Sequence, residues 1–237
     1  MTRTPNLHQR RRAPSDLELA GIPWLGLLDP ALQARTVNDI QIADAQPGDY
    51  VCRVGRPVTY WFGVISGLLK MSSDNAQGQT MTFTGIPPGG WFGEGTALKR
   101  EPYRYNIQAL RRSVVAGIPV DTFHGLLDQS IGFNRFVMNQ LNERLAQFIA
   151  AREIDRMASP EVRVARSLAA LFNPVLYPGV GEILRITQQE LAYLVGLSRQ
   201  RVNEALSSLQ AQRLIQIEYG GLRVLRLDAL RATSPLE

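Results

Sequence analysis

The 237-residue sequence contains a single cysteine, Cys52, and only two histidines. One thiol cannot form a disulfide within the chain or an all-cysteine zinc or iron–sulfur site, and it gives no basis for haem ligation. His8 lies in a polar tail, and His124 is interpreted as a packed helix residue rather than a metal ligand. Because no nucleophile–base pair or metal cluster stands out, we expect no cofactor of these kinds and consider an enzyme the least expected class.

The sequence also lacks a run of about 18 apolar residues, which a membrane-spanning helix would need. Its basic start is not followed by the apolar segment of a secretory signal, so we expect a cytoplasmic protein with no membrane partner. The formal net charge is +5, but four of these charges belong to the tail, at Arg3, Arg10, Arg11 and Arg12. The remaining chain is nearly neutral, and residues 1–20 are predicted to form a disordered basic arm.

Residues 186–214 have the spacing of two short helices joined by a tight turn. Thr187 and Glu190 form a capping box that begins the first helix, Gly196 ends it, and Ser198 caps the second helix. The apolar positions of the second helix must face inward, which leaves its first polar residues on the outer face. In a helix-turn-helix, these residues reach base edges in the major groove. Two apolar helices separated by glycine also occur in ordinary helical bundles, which is the alternative interpretation.

Two strand-like runs follow, Leu214–Tyr219 and Leu222–Arg226, around the pair Gly220-Gly221. Such a pair suits a two-residue hairpin turn, so the motif is predicted to be a winged helix-turn-helix. Arg223 or Arg226 would then contact phosphates, unless both are simply solvated. The predicted DNA-binding residues are Thr187, Gln188, Ser198, Arg199, Gln200, Arg201, Asn203, Glu204 and Arg223.

The sequence pattern before this motif is different. From about Val37, short apolar runs alternate with turns that contain proline and glycine. This pattern predicts a small antiparallel barrel or sandwich within residues 21–129. Glycines surround Glu94 in the run Trp91–Leu98, and Arg104 follows ten residues after Glu94. Because glycines let backbone N–H groups approach an anion closely, the turn is a candidate anion site. In the alternative interpretation, Glu94 and Arg104 pair with each other.

Residues 130–158 form the longest helical pattern, with a narrow apolar stripe. The stripe consists of Val137, Leu141, Leu145 and Phe148. A narrow stripe suits a two-helix seam with a second copy of the chain, although packing on the barrel, alone or in addition, would also account for it. Ser159 and Pro160 then predict the start of a new helix, and residues 159–237 form the last predicted domain.

This order of parts resembles the cyclic-AMP receptor protein/FNR family of bacterial transcription regulators. The most specific matches are Pro47-Gly48-Asp49, Gly93-Glu94 with Arg104, and the run from Ile186 to Arg199. The resemblance implies an α+β fold, with a cyclic-nucleotide-binding-like β-barrel of the double-stranded β-helix (jelly-roll) type that senses an effector. A dimerisation helix and a winged helix-turn-helix would follow. It further implies a homodimer that binds a palindromic site on double-stranded DNA, with RNA polymerase as a partner.

By the same resemblance, Gly93 lies in the phosphate cassette, Glu94 holds a ribose hydroxyl and Arg104 holds the cyclic phosphate. The expected effector-binding residues are Gly93, Glu94, Gly95, Thr96, Arg104, Tyr105 and Phe148. Two of them depart from the cyclic-AMP-binding members, which have a small hydroxyl residue where this chain has Tyr105 and a threonine where it has Phe148. The expected effector is therefore a small anion or a nucleotide, and its binding mode is expected to differ from the usual one of cyclic AMP.

The second helix also departs from the family. Arg199 matches the arginine that reads guanine, but Gln200 replaces the family's acid, and Glu204 stands where the best-known member has an arginine. Base preference is therefore expected to differ. A nucleotide-sensing module that acts on protein partners would explain the barrel but not the capped helices and the wing, and a gel-shift assay separates the two functions.

Overall fold

The computed structural model describes residues 10–75, 77–154 and 159–233 of the chain. The strands are β1 (Arg11–Arg12), β2 (Gln41–Ala45), β3 (Tyr50–Cys52), β4 (Tyr60–Ser66), β5 (Leu69–Asp74), β6 (Thr80–Ile86), β7 (Trp91–Phe92), β8 (Asn106–Ala109), β9 (Ser113–Pro119), β10 (Ile183–Leu184), β11 (Ile215–Glu218) and β12 (Gly221–Val224). The helices are α1 (Asp16–Ala20), α2 (Pro30–Asp39), α3 (Glu94–Lys99), α4 (Val120–Gln129), α5 (Ile131–Ile154), α6 (Pro160–Ala170), α7 (Gln188–Val195), α8 (Arg199–Ala211) and α9 (Leu227–Arg231).

The N-terminal domain contains two antiparallel sheets, one with strand order β1-β2-β9-β4-β7 and the other with order β3-β8-β5-β6. Inward-facing residues of both sheets, such as Val64, Met71, Ile107 and Val115, are buried in one common core. Because successive side chains point to opposite faces of a strand, each strand contributes alternate residues to that core. Among the described residues of this domain, the strands form two sheets that share one core, in keeping with the predicted jelly-roll fold.

A second core lies where α4 and the start of α5 pack on the N-terminal domain, and aromatic rings fill it. Trp61 and Trp91 have ring centroids 4.3 Å apart, and Trp24 contacts both of these rings. Phe123 and Phe133 complete the cluster with edge-on or tilted contacts. Offset and edge-to-face packing of this kind adds to the free energy of burial. The cluster fixes the start of α5 against the sheet.

The predicted disordered arm is wrong for residues 10–20. β1 pairs with β2 at the edge of the five-stranded sheet, and Arg10 forms a salt bridge with Asp49 at 2.5 Å. Arg12 pairs with Glu18, and its hydrogen bond lowers the pKa of the Glu18 carboxyl to about 2. The local composition suggested a solvated tail, because it does not reveal which acidic residues pair with these arginines. Residues 1–9 of the predicted arm lie outside the described residues.

The four residues of the predicted apolar stripe do not all lie on the same face of α5. Val137 is 2% exposed within the aromatic core, and Leu141 and Phe148 also pack partly against the N-terminal domain. Leu145, in contrast, is 61% exposed. At 3.6 residues per turn, positions 137, 141, 144 and 148 share one face, whereas position 145 lies on the adjacent face. The prediction that Val137 belongs to a seam with a second copy is therefore wrong.

In the C-terminal domain, α6 starts at Pro160 with Ser159 at the capping position, the helix start that the sequence predicts. Its core joins α6, α7 and α8 through residues such as Leu168, Leu191, Val202 and Leu206. The wing strands β11 and β12 pair as predicted, and β10 adds a third strand that the sequence did not reveal. The last four residues of the predicted helix 130–158 lie outside the described residues.

The two domains contact each other directly. Arg111, in the turn between β8 and β9, forms a salt bridge at 2.8 Å with Glu190 of α7. Leu194 of α7 packs closely against Gly85 of β6. A Cβ atom added to Gly85 would lie 2.8 Å from a methyl group of Leu194. Tyr177, from the loop after α6, is buried in the core of the N-terminal domain. The first helix of the helix-turn-helix therefore rests on the N-terminal domain.

Candidate DNA interface and effector site

Local capping positions the two helices of the helix-turn-helix as predicted. The Thr187 hydroxyl accepts a hydrogen bond from the Glu190 backbone N–H at 3.1 Å, and the Glu190 carboxylate accepts one from the Thr187 N–H at 2.7 Å. Gly196 ends α7 with φ +66°, a left-handed conformation that favours glycine. Ser198 accepts a hydrogen bond from the Arg201 backbone N–H at 3.3 Å and caps α8. These bonds satisfy backbone donors that the helix starts would otherwise leave unpaired.

The outer face of α8 is polar and exposed, while Val202, Leu206 and Leu209 on the opposite face are buried. The predicted reading residues on this outer face are Arg199, Gln200, Arg201, Asn203 and Glu204, and all five are exposed. Gln200 donates a hydrogen bond to Glu204 at 3.0 Å, and Gln188 donates one to Asn203 at 2.7 Å. The Arg199 guanidinium is thus open to solvent in the first turn of α8.

Arg223 of the wing pairs with two carboxylates. Its Nε atom donates to Glu218 at 2.8 Å, and its Nη1 atom pairs with Glu182. The hydrogen bond that Arg223 donates to Glu218 is the main reason that the pKa of Arg223 is raised. Arg223 is therefore not simply solvated, and its contact with phosphate stays a prediction. Arg226 is exposed at the end of the wing.

A cavity of about 250 Å³ in the N-terminal domain, here called the polar cavity, brings together six of the seven predicted effector residues. Its lining residues are Met71, Glu94, Gly95, Thr96, Lys99, Glu101, Arg104, Tyr105, Leu141, Arg144 and Phe148. The seventh residue, Gly93, precedes α3 with φ +86° and makes the sharp turn that leads into this wall. A side chain is rarely accommodated at that φ, which explains the glycine.

Arg144 of α5 is the residue of this site that the sequence reasoning missed. Its side chain is 9% exposed, and its Nε atom donates to a Glu94 carboxylate oxygen at 3.4 Å. Its Nη2 atom donates to the Trp91 carbonyl at 2.7 Å, and its Nη1 atom donates to the Tyr177 hydroxyl at 3.4 Å. Burial opposes the charge of the guanidinium, but the nearby Glu94 carboxylate raises its pKa, so Arg144 stays protonated. Helical spacing provided the signal, because Arg144 shares a face with Leu141 and Phe148.

Arg104 and Glu94 do not pair with each other, so that alternative from the sequence is wrong. Arg104 donates to Glu101 at 2.6 Å, and its side chain is 72% exposed. Glu94 is 3% exposed and is bound by Arg144 instead. The polar cavity thus has a buried ion pair on one side and an exposed arginine on the other.

Two bulky residues, Tyr105 and Phe148, also line this cavity. Phe148 packs edge-on against Phe83, with ring centroids 6.3 Å apart. Burial, followed by the neighbouring Glu94 carboxylate, raises the pKa of Tyr105, which therefore carries an uncharged hydroxyl at neutral pH. These residues reduce the space available to a ligand and offer one hydroxyl group, that of Tyr105.

Within the described residues, no group of three or more histidine, cysteine, aspartate or glutamate side chains is placed to hold a metal ion. His124 instead forms a hydrogen bond with the Ala97 carbonyl at 3.0 Å, and Cys52 is buried. No helix in the described part of the chain is long and apolar enough to cross a membrane.

Comparisons with known proteins match both halves of the chain. A family model of the cyclic nucleotide-binding domain matches residues 43–130, and one of the Crp-like helix-turn-helix domain matches residues 162–233. Similar proteins include the transcriptional regulator SdrP of Thermus thermophilus, 27% identical over 72% of this chain and 81% of that protein. The CRP-like cAMP-activated global transcriptional regulator of Mycobacterium tuberculosis is 24% identical over 86% of this chain and 92% of that protein.

Among solved structures, FixK2 from Bradyrhizobium japonicum is similar, with a TM-score of 0.66 and 16% identity. The match covers 82% of this chain and 98% of that one. At this identity, the likeness shows the fold alone. The order of domains is therefore shared from the N-terminal sheets through to the helix-turn-helix.

Proposed function

Because the chain is a DNA-binding transcription regulator of the Crp/Fnr family, we propose that it acts as an effector-responsive homodimer on a palindromic DNA site. The observation that carries this proposal is the exposed polar face of α8 beside a second domain that contains the polar cavity. RNA polymerase is proposed as a partner on the family resemblance. The cytoplasm, which holds the DNA of a bacterial cell, is the proposed location.

The DNA-binding half of the proposal assigns base contacts to Arg199 and Gln200, at the start of α8. Arg199 pairs with guanine O6 and N7, and the Gln200 amide suits adenine N6 and N7. Thr187, Gln188, Ser198, Arg201, Asn203 and Glu204 surround these contacts. A gel-shift assay of a specific duplex, in competition with random DNA, tests this function. A module that acts only on proteins would shift neither the specific duplex nor the random DNA.

The dimer half of the proposal relies on an exposed apolar stripe along α5. Ile131, Met138, Leu145 and Ile149 are 74%, 60%, 61% and 58% exposed. Three of them follow a seven-residue repeat, the spacing that lets two helices pack along a common seam. Exposed large apolar side chains in such a row indicate an interaction surface. A second copy of the same helix is the proposed partner.

Replacing Leu145 with glutamate is expected to shift the chain from dimer to monomer in sedimentation at micromolar concentration. Two like charges at one seam would face each other, and two apolar contacts would be lost. Glu143→Leu, on the side of α5 that contacts Asn173, is the control and should leave the dimer intact. A Leu145→Glu chain that remains a dimer would show that the seam lies elsewhere.

The effector half of the proposal states that the ligand is not cyclic AMP bound in the way that is usual for the family. The Glu94 carboxylate, expected to hold a ribose hydroxyl, is already bound by Arg144. Phe148 offers no hydroxyl to an adenine edge, and Tyr105 occupies space beside Glu94. A buried adenine edge left without partners costs about 1–3 kcal/mol, which weakens binding roughly tenfold to a hundredfold.

Calorimetry with cyclic AMP is therefore expected to show weak binding or none. The double variant Tyr105→Ser/Phe148→Thr should bind more tightly, because it restores two hydroxyl groups and the space around them. Arg112→Ala, an exposed arginine elsewhere on the same domain, should not change the result. Micromolar or tighter binding by the unmodified chain, lost in Arg104→Ala, would show that the family's usual effector applies.

A further inference from the structure

A carboxylate lies on the outer face of α8, among the residues proposed to contact DNA. Glu204 is exposed there, one helical turn after Gln200. Because DNA carries a negative charge at every phosphate, a carboxylate on this face opposes binding. Within the described part of the chain, the hydrogen-bond partner of the Glu204 carboxylate is the neutral amide of Gln200, not a cation such as Arg201. The acid is thus paired with a residue that is proposed to read a base.

Helical spacing sets the geometry of this pair. Residues four positions apart lie on the same side of a helix, so the side chains of Gln200 and Glu204 are neighbours. The Gln200 Nε2 atom donates to a Glu204 carboxylate oxygen at 3.0 Å. A carboxylate accepts hydrogen bonds but has none to donate, so the amide nitrogen of Gln200, and not its oxygen, has to face Glu204. The carboxylate therefore fixes which way round the amide lies.

The other amide on this face has a different partner. Asn203 accepts a hydrogen bond at its Oδ1 atom from the Gln188 Nε2 atom, at a distance of 2.7 Å. Gln188 is the first residue of α7, so this bond joins the two helices of the motif. The pair of Gln200 and Glu204 is, in contrast, a contact within α8 alone.

The hydrogen-bonding groups that remain on Gln200 match one base better than the others. A glutamine amide has one acceptor, its oxygen, and two N–H donors. With one N–H bound to Glu204, one donor and one acceptor remain. Adenine needs this combination, because its major-groove edge presents the N7 acceptor and the N6 donor. Guanine presents two acceptors, N7 and O6. An amide that turns freely can offer both N–H groups to guanine, whereas the amide held by Glu204 cannot.

We propose that Glu204 is a positioning residue, which sets the base preference of this regulator by holding the Gln200 amide in the orientation that reads adenine rather than guanine. This inference rests on the proposed function, because it takes Gln200 to contact a base. A side chain that is ordered before DNA arrives loses less entropy on binding. For one side chain, this effect corresponds to roughly twofold to tenfold in affinity.

Fluorescence anisotropy of the full-length chain with two duplexes tests the proposal. One duplex is a specific site selected from random DNA, and the other has a G·C pair in place of the A·T pair read by Gln200. Gln200→Ala identifies that base pair as the position whose preference it removes. The unmodified chain should prefer adenine by roughly tenfold or more. Glu204→Ala should reduce this preference about fivefold, although the loss of a negative charge strengthens binding to both duplexes.

Glu204→Gln separates the orientation of the amide from the charge. This variant loses the same charge as Glu204→Ala but keeps an oxygen that can accept from Gln200. It should therefore strengthen binding to both duplexes and retain about half of the adenine preference. Asp228→Asn is the matched control, because it removes an exposed carboxylate from α9 of the same domain and should leave the preference unchanged. Gln200 and Glu204 are exposed, so their replacement should leave the fold intact, which a thermal melt checks.

The double variant Gln200→Ala/Glu204→Ala shows whether Glu204 acts through Gln200. If it does, adding Glu204→Ala to Gln200→Ala changes no base preference further. The inference is overturned if Glu204→Ala keeps the full adenine preference. It is also overturned if Glu204→Ala alters a preference in the Gln200→Ala chain, because Glu204 would then contact a base directly. A Gln200→Ala chain that keeps every preference would refute the proposed adenine contact and this inference with it, whereas the guanine preference assigned to Arg199 would still be tested separately.

Discussion

Replacing Arg144 with alanine is expected to lower the free energy of unfolding by about 3–5 kcal/mol, the usual cost of removing one partner of a buried ion pair. The Glu94 carboxylate would remain 3% exposed with its cationic partner gone, and the Trp91 carbonyl would lose a donor at 2.7 Å. A domain of ordinary stability has only about 5–15 kcal/mol in total, so the loss would be large. Urea unfolding at a fixed protein concentration measures it, since the proposed dimerisation would make stability depend on concentration.

Two further variants separate the ion pair from general packing. Arg104→Ala removes an exposed partner of Glu101 from the same cavity and should cost no more than about 1 kcal/mol. Combining Arg144→Met with Glu94→Gln removes both charges and should recover much of the stability lost in Arg144→Ala. An Arg144→Ala chain as stable as the unmodified one would show that the buried pair does not hold α5 to the sensor.

Replacing Arg199 with alanine is expected to weaken binding to the specific DNA site by about 1–3 kcal/mol, or roughly tenfold to a hundredfold. Binding to random DNA should change little, because a base contact contributes only where the right base is present. Arg199 is exposed in the first turn of α8, so its loss should leave the fold intact. Fluorescence anisotropy with both duplexes at one salt concentration measures the two affinities.

Arg231→Ala is the matched control, because Arg231 belongs to the same domain but lies on α9 and pairs with Asp228. It should bind both duplexes as the unmodified chain does. An equal loss on specific and random DNA in Arg199→Ala would assign Arg199 to a phosphate rather than to a guanine.

The sequence predicted the features that depend on neighbouring residues. Thr187, Gly196 and Ser198 cap and end their helices as expected, because capping follows rules that span only a few positions. The glycine turn before Glu94 and the wing hairpin were found for the same reason. Gly93 needs its positive φ whatever the rest of the chain does.

The features that sequence reasoning missed depend on residues far apart in the chain. Arg144 and Glu94 are separated by 50 positions, and Arg111 and Glu190 by 79, so no local pattern joins them. The pairing of Arg223 with Glu182 was missed as well, because these two residues are 41 positions apart. Arg10 was placed in a loose arm because its partner, Asp49, lies 39 positions further along the chain.

The selection of bound duplexes from a random DNA pool by the full-length chain tests the central claim most directly. A homodimer with one α8 from each copy should enrich two inverted half-sites whose centres lie about 34 Å apart, one turn of DNA. Each half-site should contain a guanine whose enrichment disappears in Arg199→Ala. No enrichment, or a single half-site bound by a monomer, would contradict the assignment of this chain as a dimeric, sequence-specific regulator.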